Sequence, residues 1–342
     1  MLTWLTLRLV FLHSSIPLSL LAAAFVCSAG DIPSSAGWTQ HLAAANAAMR
    51  AGDYANAAPL YETALHEART LGNTSAAVAH VLDDLGPFYG ETGDFTRAES
   101  VLKEALKIWR LRLGPDDPAL SRPVSRLADT YIEAGQLDKA ERLELGKWVD
   151  RVRSLPRNAQ EIVPLLQDIG LIESRRGRLA KARPLFEEAI EKIRDGALSG
   201  TEYHALTLNN FGLACLHGRK YAEAIDHFTA SAALWEHVCG SDCLSRGVAE
   251  FNLGAAYEGA GRLPEAETHI QTAIRIAEAR IGPDNLRTGV MLQAYARLLR
   301  KNHRKEESRA MASRAARIMN ERRPQARPPY TVDVGDLYPG RR

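Results

Sequence analysis

Seven near-copies of one short pattern, set at an almost constant distance, constrain the fold more than any other feature of this chain. The copies are "GDYANAA" from Gly52, "GDFTRAE" from Gly93, "GQLDKAE" from Gly135, "GRLAKAR" from Gly177, "GRKYAEA" from Gly218, "GRLPEAE" from Gly261 and a decayed "HRKEES" from His303. The large residue after the turn falls at Tyr54, Phe95, Leu137, Leu179, Tyr221, Leu263 and Lys305, so the first step is 41 residues and the next five are 42. Three positions further on stands a small residue, Ala57, Ala98, Ala140, Ala182, Ala224, Ala266 and then Ser308. Such a period implies an array in which each unit buries its apolar face against the next, not one central core.

The pattern within a unit predicts what the unit is. Taking the small residue as a marker, Tyr61, Leu102, Phe186, Phe228 and Ile270 lie four positions after it, and Ala64, Ala105, Ala189, Ala273 and Ala315 lie seven after it. Spacings of three, four and seven share one helix face. Twelve positions before the marker stand Gly86, Gly170, Gly212 and Gly254, with Ala45, Ala128 and Ala296 in the other units. A small residue there lets a second helix approach closely. Each unit therefore reads as helix, tight turn, helix. First helices are expected near 37–51, 75–92, 120–134, 161–176, 204–217, 245–260 and 288–302. Second helices are expected near 54–70, 95–112, 137–152, 179–195, 221–238, 263–280 and 305–319. Unit three is irregular, because Leu143, Glu144, Lys147 and Trp148 interrupt the small-large-small order.

The units "LGPFYGETGDFTRAESVLKEAL", "NNFGLACLHGRKYAEAIDHF" and "FNLGAAYEGAGRLPEAETHIQTAI" resemble those of tetratricopeptide repeat proteins. The 42-residue period and the linkers "LGPDDPAL", "CGSDCLSR" and "IGPDNLRT" resemble the kinesin-light-chain variety. The resemblance implies an all-α fold, a right-handed α–α superhelix of about seven helix pairs over residues 31–319, with first helices lining its concave side. It also implies a groove for a protein or extended peptide. The asparagine-bearing start of the first helix, "TLNNFGLA" and in part "EFNLGAA", resembles a motif that holds extended peptides. The matching positions, fourteen before each marker, are Ala43, Asp84, Arg126, Asp168, Asn210, Asn252 and Ala294. Asn210 and Asn252 are the leading contacts, since an amide offers both a donor and an acceptor to a peptide backbone. Asn209 stands one position earlier in the neighbouring row. Arg126, between Asp84 and Asp168 in the array, either selects a charged partner or satisfies those acids.

Little else points to chemistry. No glycine-rich phosphate loop, metalloprotease motif or nucleophile elbow occurs, so neither a catalytic residue, a metal site nor a cofactor is assigned. The formal charge of +2 makes no case for nucleic acid. Cys215 and His217 read as core filler and helix end. Cys239 and Cys243 either close a local disulfide or remain thiols. The first 30 residues, with apolar Ile16 to Cys27 followed by Ser28, Ala29 and Gly30, read as an export signal or a retained membrane anchor. The expected location is then a bacterial periplasm or cell envelope. Residues 320–342, rich in proline and glycine, read as an extended tail. The resulting expectation is an exported, non-catalytic peptide-binding scaffold. The alternative is a structural or self-associating array.

Overall fold

The computed structural model describes residues 37–155 and 159–321. The expected leader and all but the first two residues of the expected tail lie outside the described residues. Within them the chain is a stack of antiparallel helix pairs with no strand. The pairs are α1 (Gly37–Arg50) with α2 (Tyr54–Thr70), α3 (Ala76–Glu91) with α4 (Phe95–Leu113), and α5 (Ser121–Glu133) with the split second helix α6 (Leu137–Glu141) and α7 (Leu145–Arg153). Then come α8 (Ala159–Arg175) with α9 (Leu179–Asp195), α10 (Glu202–His217) with α11 (Tyr221–Cys239), α12 (Leu244–Gly259) with α13 (Leu263–Ile281), and α14 (Leu286–Lys301) with α15 (Lys305–Glu321). These seven pairs make the expected α–α superhelix.

Each turn is closed the same way. The backbone N–H just before the second helix donates to a carbonyl five residues back: Asp94 to Tyr89 at 2.8 Å, Lys220 to Cys215 at 2.8 Å, Arg262 to Tyr257 at 2.9 Å. This closure requires a left-handed residue after the first helix. Gly93 (φ 81°) supplies it in the second repeat, but in the fifth repeat it is Arg219 (φ 59°). Gly218 therefore serves packing instead: a Cβ there would lie 2.3 Å from Leu179 of the preceding repeat. Asp53 and Asp94 add side-chain caps to the backbone N–H groups of Asn56 and Arg97.

The predicted close approach of the two helices is present. A Cβ on Gly86 would come within 2.4 Å of Leu102, and one on Gly212 within 2.7 Å of Phe228. Tyr61, Leu102, Phe186 and Phe228 are fully buried in these sockets. The same side chains also reach the next repeat, as where the Tyr61 and Phe88 rings lie 5.2 Å apart and those of Phe186 and Phe211 lie 5.3 Å apart.

Repeat three departs from the expected single helix over 137–152. Helix α6 ends after five residues, Glu144 takes a left-handed conformation (φ 53°), and α7 restarts at Leu145. Glu144 occupies the position that elsewhere holds the buried Tyr, Leu, Phe or Ile. An unpaired carboxylate cannot be buried there without a large penalty, so the chain opens, exposes Glu144 and buries Leu145 and Trp148 in its stead.

The superhelix also meets itself. Arg287 on α14 forms an ion pair with Glu91 on α3, with only 7% of each side chain exposed, and the Tyr54 hydroxyl donates to Glu91 Oε2 at 3.4 Å. The turn at Gly52 packs on Ile281 and the Arg280 carbonyl. The outer repeats are thus in contact with one another.

Replacing Phe228 by Ala should cost about 3–5 kcal/mol in urea unfolding, the usual range for emptying an aromatic socket. Arg287→Ala should strand Glu91 in a buried setting, where a lost partner costs about 3–5 kcal/mol. The expected readout is an increased radius of gyration in small-angle scattering as the outer repeats part, with helix content unchanged.

Candidate functional site

The first helices face one another across the interior. Arg50 of α1 acts electrostatically on Glu202 of α10, and Arg122 of α5 on Tyr203 of α10. All six residues expected at the site lie on these helices. The structure joins them between repeats rather than leaving them free on an exposed floor.

One rule describes the joins. The residue fourteen before the marker bonds to the residue fifteen before the marker of the preceding repeat. Asn252 Nδ2 donates to Asn209 Oδ1 at 2.9 Å, and Asn210 Nδ2 donates to Gln167 Oε1 at 2.7 Å. Ser125 Oγ donates to Asp168 Oδ2 at 2.5 Å, and the Arg126 guanidinium donates to the Asp83 carbonyl. Each partner lies 43 residues away, one repeat plus one residue. Gln167 Nε2 extends the chain to Thr207 Oγ1 at 2.8 Å. In repeats one and two the ladder changes partners: Asn46 Nδ2 donates to Asp84 Oδ2 at 2.9 Å, and Tyr61 OH donates to Asn46 Oδ1 at 2.6 Å.

Burial follows from the ladder. Asn210 and Asn252 are 0% exposed, and Asp168, Asn209 and Asp84 are also buried. The carbonyl oxygens Oδ1 of Asn210 and Asn252 are buried without a hydrogen-bond partner among the described residues. Arg126 pairs with Asp84 at 2.9 Å, so of its two expected roles, satisfying the neighbouring acids is the one visible here.

Electrostatics divide the acids of the wall. Burial alone would raise the Asp84 carboxyl, but Arg126 and Arg122 outweigh it and hold its pKa below the ordinary value. Burial pushes Asp83 up to about 6 despite Arg126 and the Trp109 indole, which donates at 2.7 Å. Burial also raises Asp129 to about 6 and Asp168 well above its ordinary value, and Asp129 adds like charge beside Asp168. Asp129 and Asp168 thus act as a carboxyl pair that resists losing both protons. Arg122 remains exposed, and the like charge of neighbouring Arg126 lowers its pKa.

Gln167 and Asp83 stand in the neighbouring row, and pairing that row with the site row at an offset of 43 residues gives them their partners Asn210 and Arg126. Asp129 and Arg122 lie in neither row, and no signal at that offset finds them. Cys215 is core filler, as expected, its thiol raised by burial to about 11. His217 ends α10 but bonds across repeats, with Nδ1 3.0 Å from Ser174 Oγ. Cys239 and Cys243 form a disulfide across the turn into α12. No group of three or more His, Cys, Asp or Glu among the described residues is placed to hold a metal ion.

Stacked helix pairs at this period define a repeat scaffold. Tetratricopeptide repeat models match residues 42–82, 85–144, 203–279 and 245–321, more than half of the chain. The chain belongs to the tetratricopeptide repeat family. It is 25% identical over 248 residues to the Arabidopsis thaliana protein KINESIN LIGHT CHAIN-RELATED 2, covering 70% of this chain and 36% of that relative. The chain thus spans about a third of that relative's length. It is 21% identical over 239 residues to the mitochondrial tetratricopeptide repeat protein 19 homolog of Drosophila melanogaster, covering 68% of this chain and 64% of the relative. Among solved structures, BtubC (BKLC) from P. vanneervenii is similar at a TM-score of 0.52 and 19% identity, covering 71% of this chain and 96% of that one. A Rap protein complexed with Competence and Sporulation Factor is similar at 0.51 and 15% identity, covering 83% and 98%.

These relatives overturn one expectation. Their names are those of kinesin light chain-related proteins and a mitochondrial tetratricopeptide repeat protein, and none is that of an exported or envelope protein. The periplasmic or envelope location is therefore withdrawn. It rested on residues 1–30, which lie outside the described residues, and no described helix is long and apolar enough to cross a membrane.

Asp168→Asn tests the carboxyl pair. Folding raises these acids, so the folded chain holds protons that the unfolded chain has released, and stability falls as pH rises from about 4 through about 6 and beyond. The variant lacks the Asp168 contribution to that slope. Its stability advantage over the parent should widen between pH 4.5 and 8 to about 1 kcal/mol or more, each pKa unit being worth about 1.4 kcal/mol. Denaturant titrations at both pH values measure it, and the difference between the two proteins cancels the histidines.

Proposed function

We propose that this chain is a non-catalytic scaffold that binds a protein or extended peptide segment along its first-helix wall, with Asn210 and Asn252 as the central backbone contacts. The observation that carries this reading is the pair of orphaned oxygens. Asn210 Oδ1 and Asn252 Oδ1 occupy equivalent positions one repeat apart, and both are buried acceptors without a donor among the described residues. A buried acceptor left unpaired costs about 1–3 kcal/mol, and a bound backbone N–H recovers that cost at each site without regard to the ligand's side chains. The amide nitrogens are already committed to the ladder. Ligand binding therefore requires the wall to shift enough to uncover the oxygens, while Asn209 and Gln167 keep the helices in register. Asp84, Arg126 and Asp168 set the charge and rigidity of the wall on the amino-terminal side.

The test is selection of a displayed random-peptide library on the full chain and on the Asn210→Ala, Asn252→Ala double variant. The parent should enrich peptides whose binding to the double variant falls at least tenfold, roughly the effect of one buried hydrogen bond. Equal binding by a double variant with unchanged circular dichroism and melting would remove these two residues from the site.

A further inference from the structure

The break in repeat three leaves a hole that the rest of the array fills. In the regular repeats the side chain four positions after the marker packs on two places in the next first helix. Tyr61 meets Phe88, ten before the next marker, and Phe186 meets Phe211, thirteen before the next marker. The equivalent places opposite repeat three are Ile172 and Ile169 on α8. The residue that should cover them is Glu144, which points its charge to solvent at 60% side-chain exposure. A cavity of ≈ 330 Å³ opens at this point, lined by Ala140, Glu144, Leu145, Ile169 and Ile172. Glu144, Gly146 and Lys147 at its mouth are exposed.

The chemistry of the missing group can be read from its neighbours. The same position holds Tyr61, Leu102, Phe186, Phe228 and Ile270 in five of the other six repeats, the last repeat having Ala312. The floor is correspondingly apolar, and the charges around the rim are matched among themselves. Lys147 pairs with Glu144 at 2.7 Å, Arg178 with Glu173 at 2.5 Å, and Arg176 with Glu141 at 3.3 Å. Nothing at the rim asks a ligand for charge. The volume falls at the low end of the range of small-ligand clefts, which suits one large side chain rather than a cofactor.

We propose that the slot between α6, α7 and α8 is a docking site for a partner polypeptide that inserts one large apolar side chain, aromatic in the first instance, where repeat three lacks its own. The site is separate from the polar ladder: Asp168 bonds to Ser125, whereas the adjacent Ile169 lines the slot. It gives the scaffold an anchor point that does not depend on the groove. Ile172 is already buried and forms the floor, so burying an aromatic group removes from water chiefly the part-exposed side chain of Ile169.

The probe is N-acetyl-L-phenylalaninamide, a single aromatic side chain on a capped backbone, titrated into the full chain carrying ¹³C-methyl-labelled isoleucine. The Ile169 and Ile172 methyl resonances should shift and saturate with a dissociation constant on the order of millimolar, as expected for so small a ligand. N-acetyl-L-alaninamide should leave them in place. Glu144→Phe should raise the melting temperature and abolish the shifts by supplying the missing side chain from within. Should that variant fail to fold, Ile169→Ala removes part of the floor and should weaken the probe roughly tenfold. Absence of saturable shifts in the parent, equal shifts with the alanine probe, or shifts that persist in folded Glu144→Phe would each overturn the proposal.

Discussion

A single contact recurs through this molecule: a large apolar side chain from the second helix of a repeat sits in a notch left by a glycine or alanine on the first helix. At the same time it touches the first helix of the next repeat. Phe186 shows both halves, filling the space above Gly170 and stacking on Phe211. Because one side chain closes both the unit and its junction, the interior of each pair and the spacing between pairs are set together. Close packing tolerates neither a larger residue in the notch nor a smaller one in the plug. The stack can therefore propagate with a nearly constant step, and polar residues on successive first helices arrive at the same relative position each time.

That constancy makes the polar ladder possible. Side chains one repeat and one residue apart meet repeatedly, and the bonds they form depend on what the sequence supplies there. Asparagine and glutamine give neutral links between repeats four, five and six. Aspartate beside aspartate gives a proton-retaining pair between repeats three and four, and arginine with aspartate gives an ion pair between two and three. The amino-terminal half of the wall is consequently the charged half. Its acids are either matched by arginine or held partly neutral by burial, which is how such a density of carboxyl groups is tolerated inside the structure.

Most of the architecture was legible in the linear pattern, because notch, plug and turn are local and repeat. The helix limits differ from expectation by two residues or fewer at nearly every end. The split of α6 from α7 was foreshadowed by Glu144 at a plug position, although the pattern alone did not say that the helix would break there. The site was less legible. Asn210, Asn252, Asn209, Arg126, Asp168 and Asp84 were read as one groove-facing set, but the structure buries most of them and bonds them to residues of neighbouring repeats, and that pairing depends on the offset between stacked helices. Gln167 stood in the adjacent row with no role assigned to it for that reason, and Asp129 stands in neither row. Arg219 shows the same limit at a turn: its left-handed backbone follows from the closure bond to Cys215, which an arginine does not advertise.

By itself the sequence determined the repeated unit, the number of units and the residues that fill each socket, because a 42-residue period with fixed small and large positions admits only stacked helix pairs. Only the tertiary structure decided what lies between units. The curvature of the stack brings Arg287 onto Glu91 across 196 residues of chain. The same accumulated geometry buries the asparagines it joins and leaves Oδ1 of Asn210 and Asn252 without a donor among the described residues. Each step between repeats is small and set by packing, and its sum over seven repeats is a property of the whole stack rather than of any local stretch of residues.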